Sequence, residues 1–186
     1  YKYDNIILDK NNFSNIKAIL DWEMATVGDP LLDLGTSLGY WIDKNDLPEL
    51  KLFQLSATTL DGNPNREEFL HKYLLESGSK INNPVFYYVF GLFKIAVIAQ
   101  QIYFRYRKGF TKDRRFKLLG VVVISLSVMA RQSIEKNRLS NLFWIKKRPS
   151  KEGLFLWFWI DYFVSILAAA QTMTPGRILL TKSAKL

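Results

Sequence analysis

The chain has 186 residues, 48% of them hydrophobic and 15% aromatic, enough for one packed domain with a small appendage and too apolar for general disorder. It has no cysteine and a single histidine, His71, which excludes disulfides, thiolate nucleophiles and any metal site built on cysteines or on two histidines. The net charge of +9 is uneven: residues 1–138 hold 19 Lys or Arg against 15 Asp or Glu, and residues 139–186 hold 7 against 2. Such asymmetry divides the chain into two regions, 1–138 and a basic tail, 139–186. The first residue is Tyr and no charged-then-apolar leader follows, so the chain reads as starting partway through a longer, cytoplasmic protein.

Two short apolar runs, Ile6 to Leu8 and Ile16 to Leu20, flank Asp9 to Asn15, a cluster of turn formers. The stretch reads as a β-hairpin. A hairpin returns its ends to one place, here Asn5 and Asp21. A side-chain amide and a carboxylate meeting there offer hard oxygen ligands for Mg²⁺, which usually also holds substrate phosphates. The alternative is that both are ordinary strand-end residues, since Asn and Asp crowd turns for local hydrogen-bonding reasons.

Gly28-Asp-Pro30 is a helix-start signal, with Asp29 as N-cap and Pro30 at the first helical position. Leu31, Leu34, Leu38 and Trp41 follow at helical spacing and predict one buried face. Asp33 lies beside that face, either as a solvated first-turn acid favoured by the helix dipole or as a buried structural residue. Asp43 to Pro48 is a polar break, and residues 49–60 read equally as a short helix or an irregular connection. A helix is predicted from about Pro64 to Glu76, with Phe69, Tyr73 and Leu74 inward, His71 at the surface and Ser77-Gly78 as its stop.

Pro84 opens a long helix to about Lys108, with Gly109 at the stop, and its apolar residues are dense enough to predict burial on most sides. Lys94 interrupts it and a basic run closes it, which argues against a membrane span. Another helix is predicted from about Asp113 to Asn137. Between the two lie Arg105, Arg107, Lys108, Lys112, Arg114, Arg115 and Lys117, opposed only by Asp113. A solvated helix end is one reading. Contact with an anionic substrate, through Arg105, Arg107 and Lys108, is the other. No nucleic-acid motif accompanies the cluster, so no nucleic-acid partner is expected.

Taken together, Tyr1-Lys-Tyr-Asp-Asn5, the hairpin, Leu20-Asp-Trp-Glu23 and Gly28-Asp-Pro-Leu-Leu-Asp-Leu34 resemble the aminoglycoside phosphotransferase family, which shares its fold with protein kinases. The segments Arg66 to Gly78 and Phe90 to Gly109 are similar to helices of the subgroup related to the kinase domain of some acyl-CoA dehydrogenases. The resemblance covers about residues 1 to 138. It implies an α+β fold, the mainly α-helical C-terminal lobe of a kinase-like enzyme opened by a β-hairpin. It further implies Asn5 and Asp21 as Mg²⁺ ligands facing ATP, and Asp33 as a structural acid. The catalytic Asp is expected immediately before Tyr1, so no catalytic residue lies in this chain, and the chain alone is expected to be inactive. The implied acceptor is a hydroxyl on a small molecule, of acyl-CoA-like character given the subgroup. The rival reading is a non-catalytic, membrane-anchored or interaction protein that retains the lobe.

The resemblance fades after Arg138. A basic run, Lys146 to Lys151, precedes 153–170, an apolar stretch with the single charge Asp161. Three readings stand for this tail: a membrane or interface segment, an extension packed on the lobe, or sequence from a shifted reading frame.

Overall fold

A computed structural model describes residues 3–23, 25–52 and 57–143. The chain opens with a 3-10 turn, Tyr3–Asn5, followed by strands β1 (Ile6–Leu8) and β2 (Ile16–Ile19). Among the described residues five α-helices follow: α1 (Pro30–Tyr40), α2 (Pro48–Leu52), α3 (Arg66–Ser77), α4 (Pro84–Arg107) and α5 (Leu119–Lys136). The architecture is thus mostly helical with one two-stranded antiparallel hairpin, as the sequence predicts. The connection read as undecided at 49–60 begins as the short helix α2, while residues 53–56 lie outside the described residues, as does the stretch 144–186 with its basic run and the apolar segment 153–170.

The hairpin pairs Ile6 with Ile19 and Ile7 with Ala18, then shifts register so that Leu8 faces Ile16. The shift leaves Lys17 as an extra residue on β2, a bulge of the kind that adds twist to a short ribbon. Lys17 reaches Asp9 at 3.0 Å across the turn. The Asp9 carboxyl sits below the usual range because the Asn11 backbone N–H and then the Lys17 side chain bond to it. Ile7, Leu8, Ile16 and Ile19 nevertheless stay substantially exposed.

The core lies between α1, α3, α4 and α5, with Leu34, Leu38, Leu70, Tyr88, Leu92 and Val123 among its buried members. Asp29 caps α1 by accepting from Leu31 N–H at 2.9 Å, with Pro30 in the first turn, as predicted. Helices α1 and α4 approach so closely that a Cβ added to Gly35 would stand 2.1 Å from the Tyr87 carbonyl oxygen, and one added to Gly91 would stand 2.1 Å from that of Gly35. The interface is built on glycine because nothing larger fits.

Three boundaries and one burial expectation are corrected. Helix α3 begins at Arg66, not Pro64, because Asn65 is its N-cap in a reciprocal capping box with Glu68; Gly78 ends it in the left-handed region. The helix expected from Asp113 starts instead as a 3-10 helix, Arg114–Leu118, and α5 proper runs from Leu119 to its left-handed cap at Asn137. The third is β2, which ends at Ile19, one residue short of Leu20. Helix α4 is not buried on most sides: Phe86, Phe93, Ile98 and Phe104 are exposed, and the buried residues are Val85, Tyr88, Val89, Gly91, Leu92, Ala96 and Ala99. Helix α4 packs against α1, α5 and the 3-10 helix Arg114–Leu118. By length and composition alone, Pro84–Arg107 and Arg114–Lys136 could each cross a membrane, although α4 and α5 both supply the core here.

Candidate functional site

The hairpin closes as its sequence predicts. Leu20 N–H donates to the Asn5 carbonyl at 2.8 Å, extending the ladder one step past the Ile6–Ile19 pair. That bond brings the Asn5 side chain onto Asp21, with Nδ2 donating to Oδ2 at 2.8 Å. Asp21 adopts a left-handed backbone, φ +70°, a conformation that Asp tolerates better than most residues. It turns the chain out of β2 just where Trp22 Nε1 donates back to the Ile19 carbonyl at 2.6 Å.

The pair suits a hard cation that keeps most of its coordination for water and phosphate. Asn5 is half-buried and Asp21 is exposed. No group of three or more acidic, histidine or cysteine side chains forms a metal cage among the described residues. Each side chain carries an oxygen that could serve a hard cation such as Mg²⁺, which is typically held by one or two protein ligands plus substrate phosphates. Asp33 lies exposed in the first turn of α1. Tyr87 on α4, which sequence reasoning missed, donates its hydroxyl to Asp29 Oδ2 at 3.1 Å and so ties the start of α4 to the cap of α1. Burial and the neighbouring Asp29 carboxylate raise the Tyr87 pKa.

The basic cluster stands at the other end of α4. Tyr87 and Arg105 are separated by 18 helical residues, about 27 Å at the helical rise. Arg107 donates to the Tyr103 hydroxyl at 3.2 Å, and Arg115 binds Asp113 at 2.6 Å. Asp113 is held below the usual carboxylate range by the Arg115 side chain and backbone N–H.

A second polar centre was not visible in the sequence. Arg66 is only 1% exposed, and its guanidinium donates to the Leu139 carbonyl (2.7 Å), the Trp41 carbonyl (2.8 Å) and both Asp46 oxygens (2.5 and 2.6 Å). Asp43 completes the cluster, 3.2 Å from Nη2, and accepts from Ser140 Oγ at 2.6 Å. Burial pushes the Asp43 carboxyl above its usual range, against the opposing pull of Arg66 and Ser140. Burial also opposes the Arg66 charge, but Tyr88, Asp46 and Asp43 outweigh it and hold the pKa above the ordinary arginine value. Leu139, Ser140 and Leu142, which composition groups with the tail, are therefore packed into the lobe. One sequence signal was available: a cation in the first turn of a helix opposes the dipole, so Arg66 needs a tertiary reason to be there.

A mostly apolar cavity of about 530 Å³ runs from Asp46, Arg66 and Tyr88 past the C-terminal half of α1 to Arg115. The fully buried Tyr88 hydroxyl, beside it, has no hydrogen-bond partner among the described residues.

Residues 1–69 match the model of the phosphotransferase enzyme family. The chain is 32% identical over 132 residues to acyl-CoA dehydrogenase family member 10 of Mus musculus, an alignment covering 70% of this chain and 12% of that protein. It is 34% identical over 114 residues to acyl-CoA dehydrogenase family member 11 of Gallus gallus, covering 59% of this chain and 14% of that protein. The human member 11 gives 32% over 111 residues, with the same coverage of 59% and 14%. The chain thus spans about an eighth of the length of the curated relatives it matches. No solved structure matches it. Asn5, Asp21, Asp29 and Asp33 all lie inside the segment, residues 1–69, that is similar to the phosphotransferase enzyme family.

Proposed function

We propose that the chain is the C-terminal lobe of a kinase-like enzyme that transfers the γ-phosphate of ATP to a hydroxyl of a small molecule. The observation that carries this reading is the Asn5–Asp21 contact at 2.8 Å, formed by the hairpin inside the family-matched segment. Phosphoryl transfer asks little covalent chemistry of a protein; it asks for positioning and for neutralisation of charge on the phosphates. Asn5 and Asp21 are the residues that would hold Mg²⁺, and the metal would supply that neutralisation. Asn5 is fixed by its backbone bond to Leu20, and Asp21 by the turn that ends β2. Asp33 is assigned as a structural acid in the first turn of α1, not as a ligand.

Transfer would also need a general base for the acceptor hydroxyl, a role assigned to no residue of this chain. The exposed apolar side chains of the hairpin suit a surface covered by a nucleotide-binding lobe. For the acceptor, the names of the relatives favour an acyl-CoA-like molecule. The cavity beside Tyr88 has room for the apolar part of such an acceptor.

The test uses the longer protein, with radiolabelled γ-phosphate, Mg²⁺ and a panel of hydroxyl acceptors. Transfer should occur, and Asp21→Ala should reduce it by at least a hundredfold while leaving the helical circular dichroism unchanged. Transfer insensitive to Asp21→Ala would refute the metal assignment. Absence of transfer with every acceptor would select the rival reading, a non-catalytic membrane-anchored or interaction module.

A further inference from the structure

We propose that the connection between α4 and α5 is a docking surface for an anionic bilayer, an inference independent of the phosphotransferase reading. Arg105, Arg107 and Lys108 were considered above as contacts for a soluble anion. The structure adds apolar side chains that such a contact does not use.

The end of α4 is closed by a specific pair of bonds. Gly109, at φ +76°, donates to the Tyr106 carbonyl at 3.0 Å, and Phe110 N–H donates to the Arg105 carbonyl at 3.0 Å. This is the Schellman arrangement, in which the residue at the Phe110 position commonly packs back onto the last helical turn. Phe110 instead remains 72% exposed, and Phe104, two turns back, is 51% exposed. The backbone bonds fix where Phe110 leaves the helix, so its exposure comes from a defined turn.

Around these rings the charge is of one sign. Between Arg105 and Lys117 seven cations oppose one acid, and that acid, Asp113, is already bound by Arg115. Lys108 lies over the Phe104 ring, 5.5 Å from its centroid, placing a cation beside an apolar group that faces outward. Lys112, Arg114 and Lys117 are exposed along the following segment, as is Leu118. A soluble phosphate needs donors converging on one point and gains nothing from exposed phenyl rings. A bilayer with anionic headgroups satisfies both at once: the cations meet the surface potential, and the rings enter the boundary between headgroups and acyl chains.

The absence of cysteine makes a local test available. Phe110→Cys in the full chain, labelled with an environment-sensitive nitrobenzoxadiazole dye, reports on this site alone; Phe13→Cys on the exposed hairpin turn is the control. With phosphatidylcholine–phosphatidylserine vesicles at low ionic strength, the dye at 110 should shift to the blue and brighten, and the dye at 13 should not. Pure phosphatidylcholine should give no response, and salt should reverse the first one. In co-sedimentation, Lys108→Gln with Lys112→Gln should weaken partitioning roughly thirtyfold, since each basic residue near such a surface is worth about fivefold. The proposal is overturned if the dye at 110 stays aqueous while the chain sediments with vesicles, since attachment is then elsewhere. It is equally overturned by an equal response to neutral vesicles, or by binding to tripolyphosphate or single-stranded RNA with none to vesicles.

Discussion

Replacing Arg66 by Met tests the account of the lobe at its most heavily bonded residue. Met keeps much of the length and packing of the arginine stem but removes the charge and every donor. In the native chain the guanidinium satisfies two backbone carbonyls, Leu139 and Trp41, and two carboxylates, Asp46 and Asp43. All of these acceptors would stay behind, and Asp43 and Asp46 are buried. Removing one partner of a buried ion pair costs about 3–5 kcal/mol, because the remaining charge is left without compensation. That is a large share of the roughly 5–15 kcal/mol by which a domain is stable. Urea unfolding followed by far-ultraviolet circular dichroism measures it, and with a slope near 2 kcal/mol per molar the midpoint should fall by about 2 M. Adding Asp43→Asn and Asp46→Asn to the Met variant removes the stranded charges and should restore more than half of the loss. A single variant within about 1 kcal/mol of the parent chain, or a triple variant weaker than the single one, would refute the reasoning.

Asp43 carries a pH signature of its own. Its folded pKa lies above the unfolded value, so between the two the folded state binds more protons. Its contribution to stability therefore falls as pH rises from the ordinary aspartate range through the raised value. The urea midpoint of the parent chain minus that of Asp43→Asn should decline across that window; a difference that rises would contradict the burial argument. Gly91→Ala would push a Cβ against the Gly35 carbonyl oxygen at 2.1 Å, and the separation it forces between α1 and α4 should cost about 1–3 kcal/mol or more, read as a lowered thermal midpoint. Asn65→Ala removes half of the capping box at α3 and should cost about 1 kcal/mol; Asn65→Asp should retain most of the stability.

Much of the helical framework was legible because its signals are local. Asp29-Pro30 starts α1, Pro84 follows the Asn83 cap of α4, and Gly78 stops α3, each through chemistry confined to one turn. Pro64 mimics a first helical residue and obscures the true start of α3, although Asn65 and Glu68 carry the spacing of a capping box. Burial on α4 was misjudged for a different reason. Counting apolar residues gives weight to Phe86, Phe93 and Phe104, which are exposed, whereas the contact with α1 is made by Gly91 and its neighbours. Close helix packing selects small residues, and hydrophobic density on its own does not record that.

The two polar centres differ in legibility for a topological reason. Asn5 and Asp21 are brought together by a single hairpin, so pairing two short strands on paper already predicts that they meet; the register sets Leu20 against Asn5, and the left-handed backbone of Asp21 accompanies the 2.8 Å contact one residue on. The Arg66 centre collects Trp41, Asp43, Asp46, Leu139 and Ser140, whose juxtaposition depends on the relative placement of α1, α3 and α5. No local pattern encodes it. The same contrast separates their roles. A site that exchanges metal and nucleotide, the role proposed for Asn5 and Asp21, must remain accessible, and Asp21 is exposed; a cluster that pins the segment after α5 to the start of α3 must exclude water, and Arg66 is buried. Helix α1 is tied at both ends: its cap Asp29 receives Tyr87 from α4, and the Trp41 carbonyl at its other end receives Arg66. Loosening Arg66 should therefore weaken the whole lobe, whereas loss of Asp21 should leave its stability unchanged.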